Sequence, residues 1–524
     1  VTLPETSSGT RTTPPPGRPP RLRLPRPTRR AWVVSALVAL LAAALAVPAL
    51  PHAPALSADS TGDPALVQRL RAAAGDGPVQ GLAAVTGRGG ETTAAAAVGR
   101  ADARPGRERP LTTATPQEIG SVTKSLTGLL LADAVERGEV QPSTTLGEVH
   151  PDAGLPPEVA ALTLDQLATH TSGLPSLTGG RLVRGLLANV THGNPYAGQT
   201  PDGVLDEAAS TRLRKDPGEY RYSNLGASVL GHALATRVGV PYPELLRSRV
   251  LEPLGMADTA AAPSRPPAGA AHEVAANGAA ATPWLSAGGA PAGTGVWSTA
   301  DDLGRLLAAV ADGTAPGLAA TGPRTGAGQE DLRTGWGWLT YERDGRTLLL
   351  FNGRTGGGVS SIALDTGSRE WAAVTAPSTA ETQTVALGLL GVRMSQPVAD
   401  RSWRSLPVLV TVLLLLLPLS SLATALRRSV SRSGKLPDRL GVPTEALSLA
   451  AVLVLARALG AWQVVPASTW LLAVAVAALA LALAAARWRS LAWPGEHAAR
   501  RWLGAGAGAA VSVAVVAAVL TGAS

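Results

Sequence analysis

The stretch Glu118-Ile119-Gly120-Ser121-Val122-Thr123-Lys124-Ser125 decides the reading of this chain. Lysine occurs at only three positions, Lys124, Lys215 and Lys435, and Lys124 follows a serine by three residues. Beyond it, Leu126, Leu129, Leu130, Ala134 and Val135 recur at helical spacing, and Gly138 supplies a stop. The spacing predicts a helix over 125–137, with Ser121 in its first turn and Lys124 one turn on, on the same face. A serine hydroxyl is a poor nucleophile until a neighbouring base takes its proton. A lysine amine acts as that base only when desolvation or a nearby positive charge lowers its pKa. Backbone N–H groups at the start of a helix point toward developing negative charge. Taken alone, a Ser-x-x-Lys spacing also arises by coincidence.

Further along stands Tyr222-Ser223-Asn224, in a chain with five tyrosines and five asparagines. One reading is a loop with a buried tyrosine hydroxyl and an asparagine in a turn. The other makes Tyr222 a proton shuttle to a leaving group and places Asn224 on the carbonyl side of an amide or ester.

With both motifs in place, the chain resembles the serine β-lactamase-related hydrolases, near the class C β-lactamases, D-Ala-D-Ala carboxypeptidases and related esterases. Ser-x-x-Lys is that family's first signature and Tyr-x-Asn its second. The resemblance runs in order over about residues 60–395. It includes Leu162-Thr163-Leu164-Asp165-Gln166-Leu167-Ala168-Thr169-His170-Thr171-Ser172-Gly173-Leu174-Pro175, Leu251-Glu252-Pro253-Leu254-Gly255-Met256 and Ser298-Thr299-Ala300-Asp301-Asp302-Leu303. His170, inside the first of these, is expected to be structural.

The third signature departs from the family. Where the family carries Lys-Thr-Gly or His-x-Gly, this chain reads Phe351-Asn352-Gly353-Arg354-Thr355-Gly356-Gly357, and Phe351 is its only phenylalanine. Phe351 cannot hold a substrate carboxylate or tune a proton as the family's cation does. Arg354 brings charge nearby but not at the matching position. Asn-Gly between apolar runs is also a hairpin-turn signal. The resemblance implies an oxyanion hole from the backbone N–H groups of Ser121 and Arg354, which a side-chain change need not abolish. It further implies Ser121, Lys124 and Tyr222 as catalytic groups, and Asn224, Phe351, Asn352, Gly353 and Arg354 as substrate-binding ones. The implied fold is an α/β (α+β) sandwich, a mainly antiparallel sheet with flanking helices and a helical subdomain. Along the chain this predicts a helix at 65–73 and strands at 81–85, 92–98, 336–341, 347–352, 360–364 and 371–376.

The flanks read differently. Residues 1–30 are Pro-rich with seven arginines, and an uncharged run follows at 31–50. A basic segment before an apolar one is a signal peptide or a signal anchor, here 31–58, and either places the 59–400 domain outside the cytoplasm. Residues 401–524 hold four apolar runs, 406–426, 447–462, 470–486 and 503–520, read as membrane helices. Arg427, Arg428, Arg432, Lys435 and Arg439 follow the first run, and Arg487, Arg489, Arg500 and Arg501 the third, whereas the linker around 463–468 is uncharged. Basic linkers stay in the cytoplasm, so this alternation also puts 59–400 outside. Arg457, inside the second run, is costly in a membrane unless it pairs or snorkels.

The net charge of +8 divides accordingly. Residues 59–400 hold 27 Lys+Arg and 34 Asp+Glu, a net of −7, and the rest of the chain carries +15. An acidic domain without interleaved basic and aromatic residues excludes a nucleic-acid surface. With no cysteine there is no thiol nucleophile and no thiolate metal site. The seven histidines show no ligand spacing, so no metal or other cofactor is expected. The partners expected are a membrane and a small amide, ester or peptidoglycan-type substrate. The alternative is a catalytically silent ligand or β-lactam sensor that reports to the membrane helices. The oligomeric state is left open.

Overall fold

Strand alternation sorts the apolar residues of this chain into two layers. In a strand, successive side chains point to opposite faces. Ala83, Val85, Leu349, Phe351, Ile362, Leu364, Trp371 and Ala373 fall in one buried cluster. Their neighbours Leu82, Ala84, Leu348, Leu350, Ala363, Ala372 and Val374 fall in the other. A sheet with both faces covered follows.

The computed structural model describes residues 22–23, 26–75, 77–178, 180–181, 184–185, 188, 191–213, 217–392, 406–426, 429–430, 439–462, 464–491, 493 and 498–522. Lys215, most of the basic segment 1–30, Gln463, and Arg427, Arg428, Arg432 and Lys435 of the first basic linker lie outside the described residues. The chain forms two compact units.

The first unit is built mainly from Pro51–Thr411. Its strands are β1 (Ser60–Gly62), β2 (Gly81–Arg88), β3 (Glu91–Asp102), β4 (Gln117–Glu118), β5 (Ala260–Ala261), β6 (Val296–Ser298), β7 (Thr325–Gln329), β8 (Leu332–Thr334), β9 (Leu339–Arg343), β10 (Arg346–Arg354), β11 (Val359–Asp365) and β12 (Glu370–Ala376). The main sheet runs β1-β3-β2-β12-β11-β10-β9-β8-β7. All its pairings are antiparallel. The early and late parts of the domain join where Val85 of β2 pairs with Ala373 of β12. Helices α1 (Pro64–Ala74), α2 (Thr123–Glu136), α3 (Asn224–Val238), α4 (Ala300–Asp312) and α5 (Thr382–Leu389) cover it. Leu66 and Leu70 of α1 and Val385 and Leu387 of α5 join one layer. Leu126 of α2, Leu230 of α3 and Leu303 of α4 join the other.

The expected sandwich is present, with differences that have physical causes. The predicted helix after Ser121 begins earlier, at Thr123, because Thr123–Ala134 is buried on every side and polar and apolar residues alike lie inside it. Asn352-Gly353 is not a hairpin turn. Both residues pair within β10, Asn352 with Ser361 and Gly353 with Ser360, and the chain reverses later. Trp336 precedes β9 as a fully buried side chain rather than starting a strand. The Gly-containing β7, Thr-Gly-Ala-Gly-Gln, carries no apolar alternation and has no strand signature in the sequence.

The second unit is helical. Arg29–Ala46, Leu406–Leu426, Gly441–Leu459, Ser468–Ala486 and Ala498–Gly522 are its long helices. Arg29–Ala49, Val408–Leu426, Gly441–Leu459 and Ser468–Ala486 are long and apolar enough to cross a membrane. The helix of the second predicted run spans Gly441–Leu459, so it starts and ends earlier than its apolar residues suggested, and the earlier end puts Arg457 in its last turn. Leu37, Leu40, Leu413, Leu472 and Leu503 are all more than half exposed on this unit.

Candidate active site

The site begins at the small sheet β4-β6-β5, which delivers the chain to Ser121. The Ile119 amide donates to the Val296 carbonyl (3.1 Å), and a 3₁₀ turn over Gly120–Val122 then runs straight into α2. Gly120 adopts φ +49°, and a side chain there would place its Cβ 2.7 Å from the Arg354 backbone nitrogen. Across the gap, a Cβ on Gly353 would overlap the Ile119 carbonyl and lie 2.8 Å from the Ser121 nitrogen. Both positions require glycine. Their close approach sets the backbone of residues 353–354 against the Ser121 turn, the arrangement an oxyanion hole of the Ser121 and Arg354 amides needs.

Tyr222 and Asn224 reach the same place from the start of α3. Ser223 caps that helix, its Oγ accepting from the Gly226 amide (2.8 Å) and donating to the Pro175 carbonyl (2.9 Å). This is the N-cap use of a serine, and it fixes the residues on either side. His170 supports the cap. Its Nδ1 accepts from the Ser223 amide (3.3 Å) and its ring lies 4.6 Å from the Tyr222 ring. Burial and the nearby Lys124 charge push the His170 pKa down to about 3, so the imidazole stays neutral and can accept. The expectation of a structural histidine fits this geometry.

Four polar groups meet. Ser121 Oγ and the Tyr222 hydroxyl share a hydrogen bond of 2.6 Å. Lys124 Nζ lies 2.9 Å from Ser121 Oγ, 2.9 Å from Asn224 Oδ1 and 2.6 Å from the Ala292 carbonyl oxygen. Lys124 is only 2% exposed, and desolvation holds its amine well below the usual lysine range. The three partners define the protonation chemistry. As an ammonium, Lys124 donates to all three. As a neutral amine it keeps two donors for Asn224 and Ala292, and its lone pair faces the Ser121 hydroxyl. The Tyr222 ring sits 5.0 Å from Nζ, and burial pushes the phenol pKa up, so Tyr222 remains protonated.

The third motif is placed differently. Phe351 is 4% exposed and belongs to the cluster that contains Ile119 and Val122, so it has almost no surface to offer a substrate. Asn352 and Arg354 are exposed. By strand alternation they share the face of Leu348 and Leu350, opposite Gly353, so the guanidinium of Arg354 does not replace the family's cation. Asn224, expected on the substrate carbonyl, has both ends of its amide engaged, by Lys124 and by the Tyr196 hydroxyl (2.9 Å).

A buried carboxyl pair lies behind these elements. Glu118 and Glu273 are 2% and 6% exposed. Glu273 accepts from the Glu118 amide (2.8 Å) and from the Thr355 hydroxyl (3.4 Å), while Glu118 accepts from the Trp284 amide (2.9 Å). Burial raises both, with the facing Glu273 charge adding to the rise at Glu118, and Glu273 reaches about 8. The pair ties the turn after β10 to the strand before Ser121. Neither the pair, nor Tyr196, nor the Ala292 carbonyl belongs to a recognisable motif.

Comparison with known proteins agrees with this geometry. A D-alanyl-D-alanine-carboxypeptidase/endopeptidase, AmpH, of Escherichia coli (strain K12) is 31% identical over 167 residues, 30% of this chain and 41% of that protein. The match thus spans less than half the length of that relative. Among solved structures, the octameric penicillin-binding protein homologue from Pyrococcus abyssi superposes with a TM-score of 0.54 at 21% identity, covering 67% of this chain and 79% of that one. A class C beta lactamase from Rhodobacter sphaeroides gives a TM-score of 0.50 at 22% identity, covering 62% and 97%. The fold is therefore the β-lactamase/transpeptidase-like one. The Beta-lactamase family model matches residues 65–388, well over half of the sequence, and the chain belongs to that family.

Proposed function

We propose that this protein is a serine hydrolase that cleaves an amide or ester through an acyl-enzyme on Ser121. The observation that carries the proposal is the buried Lys124 amine, 2.9 Å from Ser121 Oγ with its other two hydrogen-bonding directions occupied. Neutral Lys124 takes the Ser121 proton as Oγ attacks the carbonyl carbon. The backbone amides of Ser121 and Arg354 stabilise the oxyanion. Tyr222 passes a proton to the leaving group as the carbonyl reforms. Lys124 gives the proton it took to Tyr222. A water then attacks the acyl carbon and gives up a proton to neutral Lys124, and that proton returns to Ser121 Oγ as the acid is released. Substrates of this chemistry are peptidoglycan-type D-amino-acid peptides, β-lactams and small esters. A buried Phe351 in place of a cation leaves no charge there for a substrate carboxylate, which favours esters, or peptides without a carboxylate at that position, over efficient β-lactam hydrolysis.

The hydrolase is held at the membrane by the apolar helices, with its domain on the extracytoplasmic side. The exposed leucines of four helices long enough to span, and the basic linkers of the sequence, support that placement. The test is turnover by the full chain in detergent of a D-Ala-D-Ala peptide, a chromogenic cephalosporin and short-chain aryl esters. At least one is expected to turn over, with all activity lost in Ser121→Ala. Reversible binding without turnover, unchanged in Ser121→Ala, would establish the silent sensor instead.

A further inference from the structure

We infer that Tyr196 is a positioning residue for acylation: its hydroxyl holds the Asn224 amide with the oxygen toward Lys124. The inference rests on the reading of Ser121 as the nucleophile. The two ends of an asparagine amide are nearly identical in shape but opposite in chemistry. Which end meets Lys124 matters once a proton moves. When Ser121 gives its proton to the amine, the ammonium needs an acceptor in each of its three directions. Ser121 Oγ and the Ala292 carbonyl supply two, and Asn224 supplies the third only when Oδ1 faces in. The Asn224 Nδ2 must then find an acceptor on its other side. Tyr196 is that acceptor, 2.9 Å away.

The tyrosine is firmly held for this task. It is 6% exposed, and its backbone amide donates to Asn194 Oδ1 (2.8 Å), whose own Nδ2 donates to the Leu285 carbonyl (3.0 Å). Its ring lies 5.5 Å from that of Trp284, which is fixed by donating from its amide to Glu118 and from Nε1 to the Gly193 carbonyl (3.3 Å). Burial raises the Tyr196 pKa, so the phenol stays neutral. A site whose orienting group is itself locked by packing and hydrogen bonds is preorganised.

Without the hydroxyl, Nδ2 of the half-buried Asn224 loses the protein acceptor that fixes the amide's orientation. Turning the amide over removes that defect, but then Nδ2 faces Lys124 and draws its lone pair away from Ser121. Both outcomes disfavour the ammonium. Tyr196→Phe keeps the ring and its packing on Trp284 and removes only the oxygen. The experiment is the second-order rate of Ser121 acylation by a fluorophosphonate or β-lactam in the full chain, across pH, for wild type, Tyr196→Phe, Asn224→Ala and the double variant, with thermal unfolding alongside. Tyr196→Phe is expected to slow acylation about tenfold, to shift the acid limb to lower pH, and to add nothing in the Asn224→Ala background. A structural role alone would lower the melting temperature without moving the limb. An unchanged rate and limb, or a loss fully additive with Asn224→Ala, overturns the inference while leaving the nucleophile in place. Absence of acylation in the wild type overturns the nucleophile reading and this inference together.

Discussion

The two sides of the site are built on different principles. On the helical side, the side chains of Ser121, Lys124, Tyr222 and Asn224 meet in one hydrogen-bonded cluster, and the proposed mechanism uses each of these bonds. On the sheet side, β10 contributes backbone. Gly353 lets the strand come against the Ser121 turn, and Phe351 is turned into the core. Side-chain chemistry is specific to residue type, whereas backbone chemistry depends on approach and so accepts changes that preserve packing. This is how a member of the family can lose the cation of its third signature and keep the geometry around it.

The contrast can be broken from either side. The largest effect is expected at Lys124. Lys124→Met keeps much of the volume and removes the proposed base, and the hydrolysis rate should fall on the order of 10³- to 10⁴-fold, with folding confirmed by thermal unfolding. Retained turnover would move the base elsewhere. Tyr222→Phe removes the proposed shuttle but leaves the lysine, and a loss on the order of 10²-fold is expected in kcat. Phe351→His tests the sheet side. An imidazole placed in the buried apolar cluster should reduce unfolding stability by about 1–3 kcal/mol, read from denaturant unfolding, and bring no gain in turnover. A large gain would show that β10 does carry side-chain chemistry.

A last test reads stability rather than turnover and concerns the support behind both sides. The Glu273 carboxyl, pushed up to about 8, stays protonated in the folded protein while the unfolded chain releases its proton from about 4.5 upward. The folded state therefore binds more protons in this window, and stability falls as pH rises from about 4.5 to 8. Denaturation midpoints across that range should show a slope of up to about 1.4 kcal/mol per pH unit from one such group, flattened in Glu273→Gln. A slope unchanged in the variant would remove the buried pair from the explanation.

Much of the helical side was legible in the sequence because its residues sit close together along the chain. Ser121 and Lys124 share one turn, and Tyr222 and Asn224 flank one cap. The sheet side was half legible. The glycine pattern located β10, but only the pairing of Asn352 with Ser361 excluded a turn, and only burial assigned Phe351 to the core rather than to the substrate. The supporting groups were not legible. Tyr196 and Glu273 come from loops and Ala292 from a short 3₁₀ turn, all far apart in sequence, and folding alone brings them to Asn224, Glu118 and Lys124. The start of α2 was missed for a related reason, since a helix buried on all sides has no polar face to mark its phase.

The most direct measurement is the intact mass of the full chain after exposure to a fluorophosphonate or β-lactam probe, followed by peptide mapping. One covalent adduct on Ser121, absent from Ser121→Ala and strongly slowed in Lys124→Met, is the predicted result. No adduct with any serine-directed probe, or an adduct that persists in Ser121→Ala, would contradict a Ser121 nucleophile activated by a buried lysine.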